Sequence, residues 1–394
     1  MTLKIKETTM QVFYTSEPLI RTMGSDSAGM AHYQIYDVTG MQDDQVQQGN
    51  QIYAGTAYCP DGHEDIDFMP MLRTLIENQV TLLGRLDGWN QQSCLFLQST
   101  FAYNTYFSVT DLDTSLGSTI DYSIVYDTRG ITAYEAGATN LYHTGNYPYP
   151  ANLFPEREIL QGQYFNITYR NPSNSGEMTD YVFGFEYVHL DRATPQDPEV
   201  LVLSRHVLDS SITGQSFRYC GPADWQDWGE SNYVIKGRFY VYNEKEGYRY
   251  ITPWLFPRWC DEPDTVYLYW LNSLGGIEFV RGRVIKSIEH EDSTYESNDG
   301  IDMYRDGWGT RIYSQHKWND YVFNTRIMTD ETSPAVADVC GARFAWLYFP
   351  GEVQPWNTVR VTDVKATVKK AADEGKRLFN YTWNIEDSVK AKTI

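Results

Sequence analysis

One pattern constrains this chain more than any other. Apolar and polar side chains alternate with a period of two in run after run, and the runs are rich in Tyr, Phe, Val and Ile. Tyr33-Gln-Ile-Tyr-Asp-Val, Thr119-Ile-Asp-Tyr-Ser-Ile-Val-Tyr-Asp and Gln163-Tyr-Phe-Asn-Ile-Thr-Tyr are three of them. Tyr181-Val-Phe-Gly-Phe-Glu-Tyr-Val and Tyr233-Val-Ile-Lys-Gly-Arg-Phe-Tyr-Val-Tyr are two more. Successive side chains of a strand point to opposite faces, so this period marks half-buried β-strands. Turn-forming stretches separate the runs, such as Asn171-Pro-Ser-Asn-Ser-Gly and Thr194-Pro-Gln-Asp-Pro.

Helical periodicity is scarce. From Met69 to Leu86 the apolar residues fit a helical face only in part. Thr329-Asp-Glu-Thr-Ser-Pro-Ala-Val-Ala-Asp-Val-Cys is the better case, with Thr329 or Asp330 able to cap and Pro334 tolerated only in a first turn. The expected fold is mainly β, with two or more β-sandwich-like domains and one or two short helices. A chain of 394 residues suggests two or three domains. The turn-rich stretch near 210–232 marks the best boundary. It gives an N-terminal β domain over 1–215, with a further split near 95 as an alternative, and a C-terminal β-sandwich domain over 216–394.

Charge narrows the function. The formal net charge is −20, which argues against wrapping nucleic acid, because phosphate binding needs a surplus of Lys and Arg. No direct sequence-specific nucleic-acid binding is expected. A basic partner, or a lumen along which a polyanion slides, is compatible with it. No segment approaches the apolar length of a membrane span, and the first residues lack a signal-peptide run. The five cysteines, Cys59, Cys94, Cys220, Cys260 and Cys340, are far apart and form no Cys-x-x-Cys pair. They read as reduced, mostly buried thiols of a protein made in a cytosol.

Motifs for chemistry are weak. Gly-x-Gly-x-x-Gly and P-loop patterns are missing, and Gly24-Ser-Asp-Ser-Ala-Gly lacks the spacing of a hydrolase elbow. Asp61-Gly-His63-Glu64-Asp65-Ile-Asp67 is the densest ligand-type cluster, but its spacing matches neither an EF-hand nor a zinc helix, and a solvated acidic loop is favoured. The acidic stretch from Glu289 to Asp306 also reads as a solvated loop, although Asn298-Asp299-Gly300-Ile-Asp302 has alternate oxygens of the kind calcium uses. Ser314-Gln-His-Lys317 has acylating spacing without its companions. No catalytic residue, metal site or cofactor is expected.

The second half carries an ordered series. Val266-Tyr-Leu-Tyr-Trp-Leu-Asn-Ser-Leu-Gly-Gly-Ile-Glu-Phe reads as a hairpin whose first strand is apolar on both faces, hence a buried central strand. Lys317-Trp-Asn-Asp-Tyr-Val-Phe-Asn-Thr-Arg, Arg343-Phe-Ala-Trp-Leu-Tyr, Val359-Arg-Val-Thr-Asp, a Lys-rich loop from Lys365 to Lys376, and Leu378-Phe-Asn-Tyr-Thr-Trp-Asn-Ile-Glu follow. This order, with Cys260, Tyr267, Trp270, Asn272, Gly275 and Gly276 as its family-like motif, resembles virion proteins of phages that infect Bacteroidetes, including crAss-like phages. Ile277 stands where that family has an aromatic. The resemblance covers about 215–394; in the first half it rests on Ile66-Asp-Phe-Met-Pro-Met-Leu-Arg and Ile124-Val-Tyr-Asp.

The resemblance implies a structural virion protein, a ring, barrel or collar component of the tail built in the host cytoplasm. Its partners would be itself in a cyclic homo-oligomer and neighbouring portal, tail or ring proteins, with no membrane. It implies no catalytic residues. The alternative is a tail-associated glycan-binding or glycan-degrading protein, since Trp225, Trp228, Trp254, Trp259, Trp308, Trp318 and Trp356 could stack on sugars. Interfaces favour aromatic anchors, so Trp225, Trp228 and Trp308, set beside Gly, Asp and Ser, are nominated as contacts. Residues 1–30 and 289–310 are expected to act as arms that grip neighbours.

Overall fold

The alternating runs fold as strands. A computed structural model describes residues 11–14, 18–24, 29–37, 50–75, 105–112, 119–125, 149–150, 156–170, 178–189, 199–209, 216–228, 234–243, 248–273, 276–297, 310–326, 328–329, 333–352, 355–370, 377–387 and 391–393. These residues are mainly β, with a few short helices and a barrel of six strands. Two compact units emerge: Met1–Trp259 with Ser273–Ile277, and Cys260–Asn272 with Glu278–Ile394.

The first unit opens with β1 (Gln11–Tyr14), β2 (Ile20–Gly24), β3 (Gly29–Asp37), β4 (Asn50–Cys59), β5 (His63–Asp67), β6 (Thr105–Asp111) and β7 (Thr119–Val125). One sheet runs in the order β1-β7-β6-β3-β4, and β2 pairs with β5. The residues 61–67, read from sequence as an acidic loop, are therefore a turn followed by a paired strand. Asp65 accepts from Thr22 Oγ1 at 2.6 Å, and Asp67 accepts from the backbone N–H of Leu19 at 2.9 Å and of Met69 at 3.0 Å. The Met69 contact helps start helix α1 at residues 69–75, where first-turn N–H groups have no helical acceptor. Pro70 is tolerated there for the same reason. Leu19, Met23, Ala31, Ile35, Phe68, Leu72 and Val109 form the core beneath.

The rest of this unit holds β8 (Tyr149–Pro150), β9 (Arg157–Leu160), β10 (Tyr164–Arg170), β11 (Met178–His189), β12 (Glu199–Asp209), β13 (Ser216–Pro222), helix α2 (Trp225–Trp228), β14 (Val234–Asn243), β15 (Tyr248–Ile251) and β16 (Leu255–Arg258). Strand order is β13-β10-β8 in one sheet and β12-β11-β14-β16-β9 in the other. The unit therefore continues through the expected boundary at 215/216 and ends at Trp259. The turn-rich composition there reflects the one-turn helix α2, while β13 pairs residue for residue with β10.

The second unit is built from β17 (Val266–Leu271), β18 (Ile277–Ser297), β19 (Thr310–Thr325), β20 (Met328–Thr329), helix α3 (Ser333–Ala337) with a 3-10 turn over Asp338–Gly341, β21 (Ala345–Tyr348), β22 (Trp356–Lys370), β23 (Arg377–Asp387) and β24 (Ala391–Thr393). β23 pairs with both β22 and β19, so the path β17-β18-β19-β23-β22-β21 returns to β17 and closes. The expected sandwich is thus a closed antiparallel barrel, which leaves no edges along its girth. All six residues of β17 are buried, as two-faced apolar composition requires of a central strand. Side chains fill the interior from facing strands, among them Leu268, Trp270, Leu347, Phe323, Trp383 and Ile385. Gly282 is needed where β18 crosses β19: a Cβ there would overlap the Asn324 carbonyl oxygen and the Phe323 ring. Helix α3 lies where a helix was expected and holds Pro334 in its first turn. Thr329 is in β20 instead of capping it, and Asp330 lies outside the described residues.

Candidate assembly surfaces

Trp225 and Trp228 are core residues, which corrects their nomination as interface anchors. They are 0% and 4% exposed. Their spacing in α2 turns both rings onto one face, where they meet Phe185 at 5.9 and 5.2 Å. Trp228 also meets Phe239 at 5.2 Å. The Trp225 Nε1–H donates to the Ile159 carbonyl at 3.0 Å, and the Gln161 side chain accepts from the Trp225 N–H at 2.8 Å. Gly237 leaves room for the Phe185 ring, which a Cβ would strike. Trp308 lies outside the described residues.

The family-like motif is packing, too. The Tyr267 hydroxyl hydrogen-bonds Asp261, and Trp270 Nε1–H donates to Asp338 Oδ2 at 3.3 Å. Asn272 is fully buried. Tyr269 meets Phe279 at 5.5 Å and Trp356 at 4.9 Å. Gly276 is described; Gly275 is outside the described residues. Cys260 and Cys340 are exposed and Cys59 is buried, so two of these three thiols depart from the expected burial.

The tryptophans do not gather into an exposed strip among the described residues. Trp254 is half-buried, with Lys236 Nζ and Arg238 Cζ each 4.2 Å from its ring centroid. Trp356 packs on Tyr348 at 4.4 Å. Trp318 stacks on His290, and Trp259 is 42% exposed.

At one end of the barrel interior, Tyr321, Asn357 and Asp387 meet. The Asn319 N–H donates to Asp387 Oδ2 at 2.8 Å, and Asn357 Nδ2 donates to the Tyr321 hydroxyl at 3.2 Å. Burial raises the Asp387 pKa above the carboxylate range, against the pull of bonds from Asn319 and Tyr321. Burial, helped by the Asp387 charge, pushes Tyr321 up to about 12. The arrangement is a polar plug of a packed barrel. No three of His, Cys, Asp and Glu could hold a metal ion among the described residues.

One surface stands out as unfinished. β4 ends its sheet, and no strand covers its outer edge among the described residues. It spans ten residues, Asn-Gln-Ile-Tyr-Ala-Gly-Thr-Ala-Tyr-Cys, without a charge or a proline. Tyr53 and Tyr58 are 41% and 64% exposed, and Met30, opposite Tyr58 in the ladder, is exposed as well. Tyr53 stacks on the buried Tyr33 at 6.1 Å, and the Tyr33 ring overlies Gly55. Free edges are normally blunted by Lys, Pro or bulges, because their N–H and C=O groups pair with any strand that arrives. β18 follows that practice beyond the reach of β17: it carries Lys286, Glu289, Glu291 and Asp292, and bulges at Val284/Lys286 and Thr294/Tyr295. β4 has none of those charges, and its one irregularity is a bulge near the start, where the register with β3 shifts between Ile35 and Tyr36. Sequence reading missed it, although the absence of charge across ten residues was there to see. No protein-family model matches the chain, and no curated protein matches it.

Proposed function

We propose that the chain is a structural subunit of a phage tail, a ring, barrel or collar component that assembles with copies of itself and with neighbouring virion proteins. The observation that carries this reading is the uncharged outer edge of β4, which no strand covers among the described residues. A strand from a neighbour adding there would pair with the backbone groups of that edge, and the exposed Tyr53 and Tyr58 would supply contact area. The ordered series from Val266 to Glu386 supports the phage part of the reading by resemblance. The barrel interior is filled by side chains such as Trp270, Phe323 and Trp383, which agrees with a structural role.

Mass spectrometry of purified virions tests it, together with electron microscopy of the assembled protein. The chain should appear among the virion proteins and form closed rings with cyclic symmetry. Its absence from virions would refute the reading. The glycan alternative retains one exposed tryptophan among the described residues, Trp259.

A further inference from the structure

We infer that two copies of this chain pair through β4 itself, antiparallel and about a two-fold axis at Thr56. The inference rests on the assembly reading and names the strand that docks. One hydrogen bond fixes which backbone groups of β4 face outward. The Leu112 N–H donates to the His32 carbonyl at 2.9 Å, and Leu112 stands opposite His32 where the β3–β6 ladder continues past Tyr33 and Asp111. In an antiparallel ladder the N–H and C=O of one residue point to the same side, and those of its neighbours along the strand point to the other. His32 therefore faces β6, while Ala31 and Tyr33 face β4, opposite Ala57 and Gly55. It follows that Ala54, Thr56 and Tyr58 turn their N–H and C=O away from β3.

The side chains have the exposure of an edge. Ala54, Thr56 and Tyr58 are exposed on the face where they stand opposite Gln34, His32 and Met30. Tyr53 belongs to the other face, opposite the buried Ile35, and is exposed as well. From Tyr53 to Cys59 the ladder with β3 runs without a bulge, so this stretch is regular enough to template a further strand.

A second copy of β4 fits this edge. A two-fold contact needs a patch that is its own complement. Reversed and centred on Thr56, the strand sets Tyr58 against Ala54 of the second copy, large against small, and Thr56 against Thr56. These are the residues whose backbone groups face outward, so the pairing makes about six hydrogen bonds. Facing threonines favour one another across strands. Charge agrees: in a chain of net charge −20, Met30, His32, Gln34, Ala54, Thr56 and Tyr58 include no carboxylate, so two copies approach here without like charges meeting. A two-fold contact is saturated by one pair of copies. It joins protomers in twos, and a ring closes through other surfaces.

The test follows the mass of the full chain in solution against concentration. Thr56→Lys and Thr56→Glu each place like charges face to face at the axis. Each alone should weaken dimerisation at least about tenfold, and an equimolar mixture should restore it. The register has its own readout, in a Cys260→Ser/Cys340→Ser background whose cross-linking is the blank. Under mild oxidation Thr56→Cys should cross-link to itself, since facing Cα atoms lie about 5.5 Å apart. Ala54→Cys should cross-link only when mixed with Tyr58→Cys, because two copies of residue 54 would lie about 14 Å apart. Wild-type dimers that persist in both charge variants would overturn the inference and leave the assembly reading in place. So would Ala54→Cys that cross-links to itself, or a β4 protected only when another virion protein is added. A chain that stays monomeric at every concentration and is absent from virions would remove both.

Discussion

His290 lies flat on Trp318: the ring centroids are 5.2 Å apart and the planes differ by 11°. The two residues face each other directly in the β18–β19 ladder, and His290 Nε2 also lies 2.7 Å from Asp320 Oδ2. The hairpin keeps its geometry beyond the barrel partly through this contact. A double-mutant cycle of His290→Ala and Trp318→Ala should return a coupling of about 0.5–1 kcal/mol in denaturant unfolding. A coupling of zero would mean that the stack is incidental.

This hairpin also shows what sequence reading can reach. The stretch from Glu289 to Asp306 reads in sequence as a solvated acidic loop, yet its described part up to Ser297 is strand. Apolar alternation is missing there because side chains on both faces are exposed, Glu289 and Glu291 on one and Asp292 on the other, so alternation has no core to report. The described part of 1–30, expected as an arm, likewise includes the paired strands β1 and β2; 298–309, 1–10 and the expected split near 95 lie outside the described residues. By contrast, β17 was legible because both its faces are buried. Barrel closure was not: the β19–β23 pairing joins residues about sixty positions apart, and no local signal announces it.

Tyr321 and Asp387 make stability depend on pH. The folded chain holds the Tyr321 proton more tightly than the unfolded chain, whose value is near 10.0. This contribution is full below about pH 10 and is lost as pH climbs to about 12, a difference of up to ~3 kcal/mol. Tyr321→Phe should remove that alkaline loss, seen as a flatter denaturation midpoint between those values.

Asp387 acts the same way in the acid range. Burial raises its pKa, so the fold holds this proton more tightly than the unfolded chain does; stability is full below the ordinary carboxylate value and falls as pH rises through the folded value. Asp387→Asn should therefore match or exceed the wild type at pH 7 in denaturant midpoint and lose its advantage in acid. It should also lower the Tyr321 titration, because the neighbouring charge is gone. A variant less stable than wild type at every pH would contradict this.

Trp225 reads as an interface residue in sequence because it sits in a polar, turn-rich stretch between Asp224 and Gln226, whereas its neighbours in space come from β11 and β9. Trp225→Ala should cost about 3–5 kcal/mol of unfolding free energy, the price of a large buried ring and its cavity. A loss below about 1 kcal/mol, with assembly impaired instead, would return it to the interface role.

The central claim is that β4 receives a strand from a neighbour. Hydrogen–deuterium exchange across Asn50–Cys59, compared between the free protomer and the assembled particle, tests it most directly. The account predicts that the alternate amides facing away from β3 exchange readily in the protomer and become protected on assembly, and that Thr56→Lys, placing a charge on the exposed edge, abolishes the gain. Equal exchange in both states would contradict it.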